Sequence, residues 1–115
     1  MNERILKKLE KKWGKIPTPI KVLNAGNPKT VSLYLAFRKE LLKGGVLPPK
    51  IKRLVLIACA ATVKCKYCLE MHIREALIEG ISEQEILEAI SLAYLIGGGP
   101  AMATGTRALD IFEST

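Results

Sequence analysis

Aromatic residues make up only 5% of the chain, histidine occurs once and cysteine three times. The scarcity of rings matters because surfaces that track single-stranded nucleic acid interleave stacking aromatics with basic residues. Here the basic residues stand largely without them. The formal net charge of +7 therefore reads as a solvated face, which weighs against nucleic acid and leaves an acidic partner as the alternative. Many of the positive charges (Arg4, Lys7, Lys8, Lys11, Lys12, Lys15) lie beside Ile5, Leu6, Leu9 and Trp13, the pattern of an amphipathic helix. This opening segment has no uninterrupted apolar stretch, so neither a signal peptide nor a membrane anchor is expected. Leu54–Val63, read as the longest run without charge, is ten residues, far short of the roughly 20 that span a bilayer. No membrane span is expected, and the expected location is cytoplasmic.

Strand alternation over several cycles is also missing, and nearly every segment reads at helical period. The expected fold is all-α, a compact subunit of about six helices in one domain over residues 1–115, a length that can bury a core without a metal or disulfide staple. The segment IPTPIKVLNAGNP reads as a connector. Asn27-Pro28 then opens a helix with Val31, Tyr34, Leu35, Leu41 and Leu42 inward, stopped by Gly44-Gly45. The next helix starts near Pro49, turns Leu54, Ile57, Ala58 and Ala61 inward, and is apolar enough to be buried nearly all round. Ser82 and Glu85 fit a capping box for a helix carrying Ile86, Leu87, Ile90 and Tyr94. GGGP at 97–100 ends that helix, and a short last one runs through Leu109 to Phe112.

Two of the three cysteines and the single histidine fall in CKYCLEMH, residues 65–72. On a helix ending at Gly80, about 100° per residue puts Cys65, Cys68 and His72 within about 60° of one another. Cys68 and His72 are one turn apart. Cys65 lies at the helix start, where free N–H groups and the dipole favour a thiolate. Thiols at C-x-x-C spacing can exchange dithiol for disulfide, and a neighbouring histidine can take a proton from one of them. Glu75, three residues after His72, shares its face and can hold the imidazole in one tautomer; the alternative is a solvent-facing charge. Glu70 points to the other side.

An odd cysteine count speaks against a structural disulfide framework. Cys59, inside the apolar run, reads as inert core. Zinc is the rival for the remaining sulfurs, since Cys59, Cys65, Cys68 and His72 nominally make a ligand set. Cys59, however, falls about 120° from the face of the others on a continuous helix, and a site on Cys65, Cys68 and His72 alone would need a fourth ligand from water or another subunit. No metal ligands and no cofactor are expected. Haem attachment would need C-x-x-C-H, and a cubane cluster four cysteines.

C-x-x-C-x-x-x-H after the LVLIACAATVKC helix and an NP-initiated helix resembles the carboxymuconolactone decarboxylase family in its alkyl hydroperoxidase D-like branch, from about Asn27 to the end. The resemblance implies an all-helical subunit assembling into trimers or hexamers with the thiols near a subunit contact. It also implies thiol-dependent peroxidase or disulfide reductase activity on a small hydroperoxide or disulfide, driven by a dithiol or thioredoxin-like reductant. One departure stands out: where the peroxidase members carry a relay glutamate twelve residues before the first cysteine, this chain has Arg53, which cannot accept a proton. The expected site is Cys65, Cys68, His72 and Glu75; proximity to His72 favours Cys68, deprotonated by the ring, as the attacking thiol with Cys65 resolving, whereas exposure at the helix start argues for Cys65 attacking first. The alternatives are a zinc-stabilised interaction module, or a non-redox decarboxylase-like enzyme using His72.

Overall fold

A computed structural model describes residues 3–115, with Trp13 by its backbone alone. The described residues are helical, with no strand among them: α1 (Glu3–Trp13), α2 (Thr18–Gly26), α3 (Lys29–Leu42), α4 (Pro49–Thr62), α5 (Lys66–Ile78), α6 (Glu83–Gly105) and α7 (Arg107–Glu113). The all-α expectation holds. The chain divides into two compact units, one ending at Lys43 and the other running Gly44–Thr115.

In the first unit α1 is amphipathic as read, with Ile5, Leu6 and Leu9 half-buried and Lys7, Lys8, Lys11 and Lys12 exposed; the Trp13 side chain named with them lies outside the described residues. Glu3 in its first turn and Lys11 and Lys12 in its last complement the helix dipole. The proposed connector is corrected: Thr18–Gly26 is a helix. Its two prolines do not oppose this, because Pro17 precedes the first turn and Pro19 lies within it, where a backbone N–H has no helical acceptor. The Asn27 side chain accepts the Lys29 N–H at 3.1 Å, so it caps α3 as expected. Of the five residues expected inward on α3, Val31 is buried and Leu35 and Leu42 are half-buried. Tyr34 and Leu41 are instead exposed, at 38% and 55%.

The second unit holds the core, in which Ile57, Leu69, Ile73 and Ile86 are fully buried. Helix α4 packs along α5 and α6, and α5 along α6 and α7. The capping box forms in full: the Ser82 hydroxyl accepts the Glu85 N–H at 3.1 Å, and the Glu85 carboxylate accepts the Ser82 N–H at 3.0 Å. The helix that opens at Glu83 ends within GGGP as read, and a second helical segment follows it inside α6. Gly98 breaks it at φ 65°, ψ −156°, a conformation that essentially only glycine adopts. The helix then resumes, with Pro100 near the start of the new segment. A side chain at Gly97 would press within 3.4 Å of the Thr62 backbone and closer still on Ala101, so this glycine lets the end of α4 approach α6.

Three further readings are corrected. Helix α4 is not buried all round, because Ile51, Val55 and Cys59 all lie exposed at i, i+4 and i+8. Tyr94 is exposed, and Ala89 and Ala93 take the core side of α6 with Ile86 and Ile90. Leu54–Val63 is also shorter than the uncharged run Ala89–Thr106. By length and composition Glu83–Glu113 could cross a membrane. It is nevertheless broken at Gly98 and gives Ile86, Ile90, Ala93, Ala101, Ala108 and Ile111 to the core.

Candidate functional site

The turn from α4 to α5 aims the cysteines. Lys64 donates its N–H to Ala61 O at 3.1 Å and Cys65 donates to Ala60 O at 3.0 Å, the paired bonds of a Schellman stop. The residue in the left-handed position of such a stop is usually glycine. Here it is Lys64, at φ 60°, the one non-glycine residue with positive φ among those described. α5 ends in the same motif, with Gly80 donating to Leu77 O at 3.1 Å and Ile81 to Ala76 O at 2.9 Å. There the left-handed residue is a glycine, as the sequence indicates.

The first stop places Cys65 as the N-cap of α5, where its Sγ accepts the Cys68 N–H at 3.1 Å. Cys65 and Cys68 are joined as a disulfide, with Cα atoms 5.3 Å apart. Both are half-buried, and Cys68 packs against the core cluster. Reduction would leave Cys65 Sγ at a helix N-terminus, a position that stabilises a thiolate.

His72, one turn beyond Cys68, is engaged from α4. Arg53 is buried, at 4% exposure, and its Nη1 stands 2.7 Å from His72 Nδ1. Its other edge makes a two-point contact with Glu79, Nε donating to Oε1 at 3.1 Å and Nη2 to Oε2 at 2.8 Å. A guanidinium only donates, so the imidazole accepts at Nδ1 and, when neutral, carries its proton on Nε2. The expectation of His72 as base toward Cys68 meets a physical obstacle here: the one lone pair of a neutral ring already faces Arg53.

Glu79 escaped the sequence reading. It is the C-cap of α5, where the helix dipole disfavours a carboxylate. An acid just before a stop glycine, seven residues after His72, was the available signal. Glu75 is buried, at 3% exposure, so the solvent-facing alternative is excluded and a carboxylate lies inside on the His72 helix. Glu70 lies apart as expected, accepting from Arg107 Nη2 at 2.8 Å and Arg74 Nε at 3.2 Å. The Arg107 hydrogen bond, helped by Arg74 and opposed by partial burial, holds its carboxyl below the usual range. Cys59 is exposed on the outer face of α4 rather than in the core. Among the described residues no group of three or more His, Cys, Asp and Glu side chains could hold a metal ion.

Comparison with known proteins agrees with the helical frame. A solved protein from Burkholderia xenovorans LB400, provisionally assigned as a carboxymuconolactone decarboxylase, superposes with TM-score 0.80 at 28% identity, covering 98% of this chain and 91% of that one. An apo carboxymuconolactone decarboxylase family protein from Legionella pneumophila gives TM-score 0.75 at 26% identity, over 84% and 87% of the two chains. The uncharacterised protein 4 of the cox locus of Paracoccus denitrificans is 32% identical over 80 residues, 70% of this chain and 72% of its own length. An uncharacterised Haemophilus influenzae protein is 33% identical over 86 residues, 75% and 76% of the two chains. The model of the carboxymuconolactone decarboxylase family matches residues 28–110, which takes in the cysteine pair, His72, Arg53 and Glu79. On that match, the chain belongs to the carboxymuconolactone decarboxylase family.

Proposed function

We propose that this protein is a thiol-dependent oxidoreductase that cycles Cys65 and Cys68 between dithiol and disulfide, reducing a small hydroperoxide or a substrate disulfide with electrons from a dithiol or thioredoxin-like donor. The observation that carries the reading is the Cys65–Cys68 disulfide across the first turn of α5, with His72 one turn further on. With a hydroperoxide, the Cys68 thiolate attacks the terminal oxygen, the O–O bond breaks, and the alkoxide leaves and takes a proton from water. Cys68 becomes a sulfenic acid. Cys65 then attacks that sulfur as thiolate, hydroxide leaves and is protonated to water, and the disulfide closes. A dithiol donor reopens it by exchange and departs as its own disulfide.

In this cycle His72 donates from Nε2 to the sulfur of Cys68, stabilising the thiolate, rather than removing its proton. Glu75 remains in the proposed site as the buried carboxylate of the same helix. The zinc alternative needs Cys65 and Cys68 as free thiolates and, with His72 as the third ligand, a fourth from water or another subunit. Cys59, the remaining cysteine, faces outward. Location in the cytoplasm, where such donors are found, is part of the proposal, as is a homo-oligomer of three or six chains. Leu92, Leu95 and Ile96 on α6 are 60%, 78% and 83% exposed, and an apolar surface of this kind marks an association site. The test is steady-state consumption of a dithiol after addition of a hydroperoxide, with the metal-stripped protein. Turnover should vanish in Cys65→Ser and in Cys68→Ser, and either variant keeping the full rate would refute the cycle.

A further inference from the structure

We infer that Arg53 and Glu79 are positioning residues that set the redox poise of the Cys65–Cys68 pair through His72. The inference rests on the proposed exchange chemistry of that pair. A guanidinium as buried as Arg53 needs partners for its N–H groups. Glu79 takes two of them, on Nε and Nη2, and His72 Nδ1 takes one on Nη1 at 2.7 Å. The three side chains come from two helices, Arg53 from α4, His72 from within α5 and Glu79 from the C-cap of α5. Because arginine has no acceptor, the ring is held with Nδ1 toward Arg53 and its N–H at Nε2, on the same helix one turn from Cys68.

This matters when the disulfide opens. A donor thiolate attacks Cys65 Sγ, the S–S bond breaks, and Cys68 Sγ leaves with the electron pair. The donor's second thiolate then displaces Cys65, which takes a proton, and the donor ends as a disulfide. Cys68 is left anionic beside an N–H donor with a fixed cation behind it, so the reduced state is stabilised and the couple becomes more oxidising. Glu79 opposes this effect. It holds Arg53 in place and also cancels part of its charge. Glu75 is the further buried carboxylate on α5 and is common to every variant compared below.

The two residues therefore have opposite electrostatic signs, and a merely structural role would not separate them. The experiment equilibrates Cys59→Ser protein with glutathione redox buffers, alone and with Arg53→Met or Glu79→Gln, and reads the oxidised fraction by mass after alkylation. Loss of the arginine should move the equilibrium about tenfold toward the disulfide, roughly 30 mV more reducing. Neutralising Glu79, whose amide can still accept an Arg53 N–H, should move it severalfold toward the dithiol. Shifts in the same direction, or no shift in Glu79→Gln, overturn the inference. Should Arg53→Met fail to fold, the Glu79 variant decides alone, since that side chain is 39% exposed against 5% for Arg53. The readout is an equilibrium, so it stands whether or not the protein turns over hydroperoxide.

Discussion

Arg53 and His72 are nineteen residues apart in sequence and 2.7 Å apart in space. That contact joins α4 to α5 beside the cysteine pair. Arg53 can only donate to the ring, so the contact fixes which nitrogen accepts. With Nδ1 facing a guanidinium, a neutral ring carries its proton on Nε2.

The exposed thiol of Cys59 makes a separable prediction. Under native, non-reducing conditions one alkylation per chain is expected by mass spectrometry, lost in Cys59→Ser. After reduction all three cysteines should label. A Cys59 that stays unmodified in the native protein would restore the buried reading.

Lys64 holds a left-handed conformation at φ 60°, which costs a residue with a Cβ on the order of 1 kcal/mol. Lys64→Gly is expected to raise unfolding stability by up to about 1 kcal/mol, less the extra entropy glycine brings to the unfolded chain. Urea denaturation measures it. A loss of stability would show that the lysine side chain contributes more than the strain removes.

Acid should weaken the fold through two carboxylates. Hydrogen bonds from Lys50 and Ser82 bring Glu85 down to about 2 from 4.5, and the Arg107 contact lowers Glu70. A folded-state value below the unfolded one means the contribution is present above the unfolded value and is lost as pH falls through the folded one. Stability should therefore decline between about pH 4.5 and pH 2. In Glu85→Gln that decline should be shallower in denaturant titrations across the range, and an unchanged slope would contradict the assignment.

The local features were legible because they depend on helical period and chain chemistry alone. Cys65 and Cys68 pair across the first turn of α5 as their spacing allows, Ser82 and Glu85 close a capping box within one turn, and Gly80 stops α5. What was missed depends on neighbours. Two prolines disguised α2, although both occupy positions where a helix start tolerates them. Cys59 sits in an apolar run, yet the period of α4 turns it outward with Ile51 and Val55. The Arg53–Glu79 pair spans 26 residues, a separation at which spacing on one helix says nothing. Arg53 was visible as a departure from its family, but its partners were not.

Thiol counting tests the central claim most directly. The fully reduced protein, freed of donor, is given one equivalent of hydroperoxide and its free thiols are counted. Disulfide cycling predicts a fall from three thiols per chain to one, with the peroxide consumed and a Cys65–Cys68 linkage found in the peptide map. Three thiols remaining, or a loss confined to Cys59, would contradict it.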